Sequence, residues 1–562
     1  MWMQQAERGQ FVCDATVARS AAISRLDQME FAVGVSMKGV IASTFYPKFL
    51  LIFEANDLVS TLDSANKKHF GLHWPRPTLA PRQLEQTLPH LSIRENPQNL
   101  PLLTNKANEV DLIIQTTQAS LCPPTVICQA LADFYFCELF HWVPVLDRGQ
   151  EDLEKSLLLR QSLYFAGSGM RRSTEGPTEW STLAIFKRIK ILISINHELA
   201  PLNILSALCI LASYPIHTNH EVALDNPWQW GGTAIRLALQ MHMHEENAYL
   251  HFDHPKRARR IWWYLFMNDT MQMGCSGLPG MFPLGDSNVR LPTIDDFNTP
   301  SAEAHVFCAM ALLCQRLREV LQIGKSDDAS QMQVFSRLDL LRVWQDNLSH
   351  ELHLFDEKIE IRRSYNRAVA ELYIFYMVTI ILTCFLGRRE NCPLLKCASI
   401  VASSCISRLY EEILYHEGTT FLLPIHAWAN LVASIPRTFS TDEQIPNQAN
   451  EKRISRMVLE KMSEKHPSVM MVQQRIDEMS HAGASVFGTP DTPPDAPNLN
   501  APLTTETSQQ ILSLFPFPSS FCPTLDLFSA DLNESEQPDI FADLLIDVNN
   551  WDWPVDWSSF LF

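Results

Sequence analysis

The sequence predicts an all-α fold: a large multi-helix domain followed by a disordered Pro-rich and acidic C-terminal tail. Glycine makes up only 19 of the 562 residues, which disfavours folds built on Gly-rich phosphate loops or tight hairpins. Over residues 124–479, apolar residues recur at helical spacing in segments separated by short breaks, without strand-like alternation. With 46% apolar and 19% charged residues, the chain can bury a large core.

Composition divides the chain into four parts. Residues 1–120 have weak periodicity and form a poorly defined N-terminal region, whereas residues 121–479 are expected to form the helical domain. Residues 480–524 are rich in proline, which interrupts both helices and strands, and are predicted to be a disordered linker. Residues 525–562 form an acidic and aromatic segment.

Residues 372–386 are apolar enough to suggest a membrane span. The uncharged run between Glu371 and Arg388 is 16 residues long, whereas about 20 are needed to cross the hydrocarbon layer. Helices that are apolar on all sides also occupy the middle of large helical proteins. We therefore predict a core helix and no membrane partner.

The net charge of −18 is concentrated at the C-terminus. Residues 476–562 contain 14 acidic residues and no lysine or arginine, whereas the preceding residues contain 45 basic and 49 acidic residues. A nearly neutral body lacks the basic surplus of a protein that binds nucleic acid unaided. Direct contact of this chain with DNA is therefore not expected.

The 13 cysteines are scattered and contain no C-x2-C pair, which argues for a reducing, intracellular compartment and against a structural zinc site. His242, His244 and Glu245 could be considered metal ligands, but His242 and His244 lie at the end of a predicted helix over residues 233–244. Alternate residues of a helix point about 200° apart, so we interpret these three as packing or surface residues. No metal and no cofactor is predicted.

Several sequence motifs, in a fixed order, resemble the middle homology region of fungal-specific transcription factors: residues 134–136, 140–146, 234–244 and 259–266, Asp269, and residues 277–279 and 289–292. The resemblance implies a helical regulatory domain and a nuclear role in switching on genes, often those of a metabolic or secondary-metabolite pathway. The chain departs from the family pattern at Thr270, where arginine is frequent, and at residues 242–245, where Gly-Leu-His-Arg is usual.

Proteins of this family usually begin with a six-cysteine zinc cluster that places a short helix in the major groove. Cys13 is the only cysteine before Cys122 in this sequence. We therefore expect this protein to act through a DNA-binding factor, as a homo- or heterodimer, or the gene to begin upstream of Met1.

The basic run over residues 256–260 precedes a Trp-Trp pair and allows three interpretations. Structural ion pairing is favoured because the run leads into an apolar helix. Nuclear import and contact with DNA phosphates remain the alternatives.

Residues 166–169 and 274–277 resemble the sharp turns that carry a hydrolase nucleophile. Neither matches Gly-x-Ser-x-Gly, and neither follows a predicted strand. The sequence also contains no phosphate loop, no His-Glu-x-x-His and no dinucleotide fingerprint. We therefore do not expect an enzyme.

The acidic segment combines bulky apolar residues at helical spacing with interspersed aspartates. Charge repulsion keeps such a segment hydrated, while its apolar side chains can order in a partner's groove. The predicted contacts with a transcriptional coactivator are Phe541, Leu544, Leu545, Trp551, Trp553 and Trp557. The alternatives are a solubilising tail and a tail that docks back on its own domain.

These observations together predict a nuclear transcriptional activator. A second hypothesis is a dimerisation partner or repressor that holds a zinc-cluster factor inactive. A soluble helical enzyme is a third, for which the sequence offers no positive evidence.

Overall fold

The structure is a computed structural model that describes residues 100–528, apart from residues 173–177, 216–222, 283–284, 286, 325–329, 357–360, 387–391, 439–447 and 487–504. All of these described residues belong to one compact unit. Residues 529–562 lie outside the described part of the chain, and so do the six predicted coactivator contacts.

Within the described residues, the chain is a succession of α-helices joined by short loops and 3-10 turns. The helices are α1 (Leu100–Thr117), α2 (Thr125–Phe134), α3 (Glu151–Lys155), α4 (Leu157–Gly169), α5 (Thr182–Ser194), α6 (Pro201–Ser213), α7 (Pro227–Gln240), α8 (Pro255–Ser276), α9 (Ala302–Ile323), α10 (Gln331–Asp346), α11 (Arg367–Leu386), α12 (Pro393–Tyr415), α13 (Ile425–Thr438), α14 (Gln448–Ser463), α15 (Val469–Val486) and α16 (Thr505–Leu512). Extended pairing in this part of the chain is limited to one antiparallel bridge, Phe355 to Arg362. The predicted all-α fold is confirmed.

Short polar residues and proline determine where many helices begin. The side chains of Ser156, Asn226 and Ser301 each accept a hydrogen bond from the backbone N–H three residues later, which is the usual N-cap arrangement. Proline occupies the first turn of α6, α7, α8 and α12, where a missing N–H costs no helical hydrogen bond.

Helix α11 is the central helix of the domain. Its residues 368–384 are buried, and it packs against α9, α10, α12 and α13. By length and composition it could cross a membrane, but 89% of its most apolar window lies inside the protein. The prediction of a core helix is confirmed.

The helix predicted over residues 233–244 begins earlier and ends earlier in the structure. It begins at Pro227 because Asn226 caps it, and it ends at Gln240. His242 then adopts a left-handed backbone with φ of 56°, so the chain turns away before the two histidines. The predicted boundaries were therefore wrong by six residues at the start and four at the end.

The proline-rich region also differs from the prediction of a disordered linker over residues 480–524. Helix α15 continues to Val486, and α16 and the 3-10 turn Pro523–Phe528 pack on α12. The Tyr376 hydroxyl donates to the Leu514 carbonyl at 2.9 Å, and the Phe517 ring lies 5.9 Å from that of Tyr373. Buried apolar side chains outweigh the effect of the prolines here: Ile511, Leu514, Phe515, Phe517, Cys522, Leu525 and Phe528.

The two glycine-containing runs that resemble hydrolase turns are helix contacts instead. A Cβ at Gly167 in α4 would lie 1.9 Å from the Leu131 carbonyl oxygen in α2. At Gly274 in α8, it would lie 2.7 Å from the Trp428 ring. Both glycines therefore permit a close approach between packed helices.

We predict that Gly167→Ala destabilises the domain by about 3 kcal/mol, because a backbone carbonyl cannot move away as a flexible side chain can. Urea unfolding of the purified chain measures this change. Gly324→Ala is the matched control, since its Cβ would approach no atom closer than 3.4 Å. An equal effect of the two substitutions would contradict the close-contact explanation.

Candidate regulatory site

The motifs that carry the family resemblance meet around the first turns of α8. Arg257, Arg259 and Arg260 follow one another closely in sequence, and all three are buried. Each guanidinium lies within salt-bridge distance of a carboxylate from another part of the chain, namely Asp152, Glu246 and Asp147, respectively. The basic run thus connects α8 to three other segments of the domain through buried ion pairs.

Arg260 is fully buried and connects three segments of the chain. Its Nε donates to the Pro144 carbonyl at 2.7 Å, and its Nη1 donates to the Asp296 carbonyl at 2.5 Å. Its Nη2 donates to Asp147 Oδ2 at 2.7 Å, and the guanidinium lies 5.2 Å from the Phe297 ring centre. Every nitrogen of the planar fork therefore has a partner, as a buried cation requires.

Two bidentate pairs extend this network toward the surface. Arg259 donates to both oxygens of Glu246 at 2.7 Å, and Arg290 donates to both oxygens of Asp296 at 2.7 Å. Burial raises the pKa of Glu246, but the bonds from Arg259 and the Arg290 backbone N–H outweigh burial, so the pKa lies below its ordinary value. Glu246 therefore stays ionised and paired at neutral pH.

These contacts decide between the three interpretations of the basic run. Structural ion pairing is confirmed for Arg257, Arg259 and Arg260, since buried and paired guanidinium groups are not available to DNA phosphates or an import receptor. Lys256 is the exposed basic residue of the run.

A similar buried pair lies deeper in α8, where the chain departs from the family pattern. Asp269 Oδ2 lies 2.9 Å from Arg318 Nη1, contributed by α9. The carboxylate also accepts from the backbone N–H groups of Met281 and Phe282 at 2.9 and 3.0 Å. Arg318 therefore supplies the guanidinium for Asp269, and its Nη1 also donates to the Thr270 hydroxyl at 3.3 Å.

A second polar centre, the Glu371 cluster, surrounds a fully buried carboxylate in α11. Glu371 Oε2 lies 3.1 Å from His141 Nε2 and 3.3 Å from His426 Nε2, and it accepts the indole N–H of Trp142. Glu371 Oε1 accepts from Arg367, one helical turn earlier. Burial raises the pKa of Glu371, but Arg367 and His141 more than offset it, so the pKa lies well below the usual range.

The Glu371 cluster joins the segment before α3 to the centre of the domain. His141 and Trp142 belong to the Pro-interrupted motif over residues 140–146, and His426 belongs to α13. Glu371 is not among the residues that the sequence motifs predict to be functional. A signal was present, because it is an acid placed four residues after Arg367 at the edge of a long uncharged run.

A cavity of about 360 Å³ lies beside the Glu371 cluster. Trp142 belongs to both, since its ring lines the cavity while its N–H reaches Glu371. Helices α6, α8, α13 and α15 contribute walls, with Ala212, Met267, Met271, Trp428, Val469 and Val472 among the lining residues.

Helix geometry does not separate His242 and His244, contrary to the prediction, and both lie close to Glu245. Because the helix ends at Gln240, the two imidazoles are not on opposite sides of a helix, and their ring centres lie 5.9 Å apart. Glu245 Oε1 lies 3.3 Å from a nitrogen of each histidine, and the three ligand atoms fit within 4.8 Å. The absence of a metal site remains a prediction.

Comparison with known proteins agrees with the resemblance seen in the motifs. Residues 133–368 match the family described as the fungal specific transcription factor domain. The protein named cutinase transcription factor 1 alpha from Fusarium vanettenii is 30% identical over 199 residues. These residues are 33% of this chain and 22% of that relative, so the match spans about a fifth of the relative's length. No solved structure gives a significant match.

Over residues 133–368, the helical fold therefore contains a domain that is similar to one found in fungal transcription factors. The predicted resemblance to fungal-specific transcription factors is confirmed over residues 133–368, which are less than half of the chain. The matched domain extends from α2 to the start of α11, so it contains the arginine network of α8 and the first part of the Glu371 cluster.

We predict that Arg260→Ala lowers the free energy of unfolding by about 3–5 kcal/mol, because it leaves the Asp147 carboxylate and two carbonyls without their donor. Urea unfolding of the full chain checks this value. Lys256→Ala is the matched control from the same run and should change stability by less than about 0.5 kcal/mol. A mild effect of Arg260→Ala would show that the network does not hold the fold together.

Proposed function

We propose that this chain is a nuclear transcriptional activator of a fungal metabolic or secondary-metabolite gene set. The observation that carries the proposal is the match of residues 133–368 to the fungal specific transcription factor domain. The activator role is supported by the acidic and aromatic composition of residues 525–562. The name of the Fusarium relative, a cutinase transcription factor, supports regulation of a metabolic gene set.

In this proposal, promoter binding is supplied by a DNA-binding partner, in a homo- or heterodimer, or by an N-terminal module preceding this sequence. The near neutrality of residues 1–475 supports such a division. The burial of Arg257, Arg259 and Arg260 supports it further, because it withdraws three cations from the surface that could meet phosphates.

The proposed coactivator contacts are the apolar side chains of the tail, with the aspartates keeping them hydrated and accessible. Partner-bound helices draw most of their affinity from a few apolar anchors at helical spacing. The proposed anchors are Phe541, Leu544, Leu545, Trp551, Trp553 and Trp557.

The alternative is a dimerisation partner or repressor that does not activate transcription. One observation favours it: residues 505–528, which include the first residues of the acidic segment, pack on the domain instead of extending from it. A tail that continued along the domain would be withheld from a coactivator.

We predict that residues 526–562, fused to an unrelated DNA-binding domain, raise reporter expression. Changing Phe541, Leu544 and Leu545 together to alanine should reduce the gain at least about fivefold, because the apolar anchors are lost. Asp543→Asn with Asp547→Asn, the matched control in the same segment, should reduce the gain less. A fusion that stays silent, or one indifferent to the alanine changes, would favour the alternative.

We also predict that the purified chain alone binds promoter DNA no better than unrelated DNA, and only weakly, at physiological salt, because too few phosphates can be neutralised. An electrophoretic mobility shift assay measures this. Addition of a zinc-cluster factor should produce a shifted complex that contains both proteins. Specific nanomolar binding by the chain alone would contradict the proposed division of labour.

A further inference from the structure

We propose that the cavity beside the Glu371 cluster binds an uncharged, mainly apolar small molecule that carries a hydrogen-bond acceptor. The proposal goes beyond the function proposed above, and direct binding to the purified chain tests it without any measurement of transcription.

The size and position of the cavity suit a small-molecule site. Its volume of about 360 Å³ lies within the roughly 300–1,000 Å³ of typical ligand pockets. It lies between α8, α13 and α15, with Met471, Gln474 and Glu478 at its exposed side. A ligand can therefore enter from solvent and reach buried walls.

The inner walls are mainly apolar. Met267, Met271, Trp428 and Val472 line the cavity and are at most 7% exposed. Methionine thioethers adapt to ligands of different shape, and tryptophan offers a broad flat contact. Apolar ligand surface removed from water by these side chains would supply most of the affinity.

The charges at the cavity argue for an uncharged ligand. Arg475 and Glu478 are the charged residues among its lining, and both belong to α15. Arg475 Nη1 lies 2.9 Å from Glu478 Oε2, so the two charges neutralise each other. An ionised ligand would enter the apolar interior without a counter-charge, which is strongly unfavourable.

One buried donor in the cavity wall lacks a partner. Trp428 is 2% exposed, and its Nε1 has no hydrogen-bond partner among the described residues. Buried indole N–H groups usually find an acceptor. A carbonyl or ether oxygen on the ligand would satisfy this donor, which is why the proposed molecule carries an acceptor.

The cavity also adjoins the Glu371 cluster. Trp142 lines the cavity and donates its N–H to Glu371, and His426 of the same cluster lies two residues before Trp428. A ligand seated against both tryptophans would bind the folded domain and not the unfolded chain. It would therefore raise the unfolding temperature.

The test uses the full chain and two naphthalene dyes of opposite design. Prodan is uncharged and carries a ketone acceptor, whereas anilinonaphthalene sulfonate is anionic. We expect Prodan to bind saturably with a one-to-one ratio and to raise the unfolding temperature, and the sulfonate to bind at least about tenfold more weakly.

Cavity-filling variants locate the binding site. Cys275 is a half-buried residue of the cavity wall, and Cys275→Phe should weaken Prodan binding more than tenfold. Cys308→Phe is the matched control, because Cys308 is also half-buried in a helix but does not line the cavity. It should leave the affinity unchanged within about twofold.

A second pair of variants tests the hydrogen bond. Trp428→Phe should weaken Prodan binding about three- to tenfold, the loss expected for one neutral hydrogen bond. The matched control is Trp230→Phe, since Trp230 also has a buried Nε1 without a partner among the described residues but lies outside the cavity lining. Its affinity should remain that of the unchanged chain.

Circular dichroism establishes that each variant folds. If Cys275→Phe does not fold, Ser468→Trp replaces it, because Ser468 lines another wall of the cavity. Loss of Prodan binding in the cavity-filling variant, with binding kept in the Cys308 control, would support the site. Absence of saturable binding to the unchanged chain, or binding that survives filling of the cavity, would overturn the proposal. Equal affinity for the two dyes would overturn the inference that the ligand is uncharged.

Discussion

The buried carboxylate of Glu371 is the constraint on which the centre of this domain depends. It lies on α11, a helix that is apolar and long enough to cross a membrane and is buried inside the domain, where an unpaired charge would cost several kcal/mol. Arg367 compensates it from one helical turn away, but His141 and His426 come from distant segments. Helix α11 can therefore be buried only if the segment before α3 and helix α13 close around it.

Helix α8 also contains buried charges that need partners from distant segments, but here the buried groups are cations. Arg260 and Arg259 are buried because Asp147, Asp296 and Glu246 are brought to them by the loops on either side. These ionic contacts are weak evidence of stability by themselves, since charges must first be removed from water. Their consequence is geometric: they fix the loops against α8 and α11, and the cavity lies beside the helices that they hold in place.

Where local sequence signals and tertiary contacts disagreed, the tertiary contacts prevailed. Residues 505–528 contain prolines that predict a linker, yet Phe517 and Leu514 find places against α11 and the chain folds there. The histidines after Gln240 continue a helical pattern, yet the backbone turns at His242 and brings both rings beside one carboxylate. Helical spacing alone does not reveal such turns, because they depend on what the flanking segments pack against.

The sequence by itself determined the all-α class and the buried character of α11. These features follow from local backbone preferences and from the periodicity of apolar residues. Only the tertiary structure decided that Arg260 pairs with a carboxylate 113 residues away and that Glu371 meets a histidine 230 residues away. The partner of each buried charge and the position of the cavity depend on which distant segments become neighbours in the fold. No local pattern of residue types specifies which segments these are.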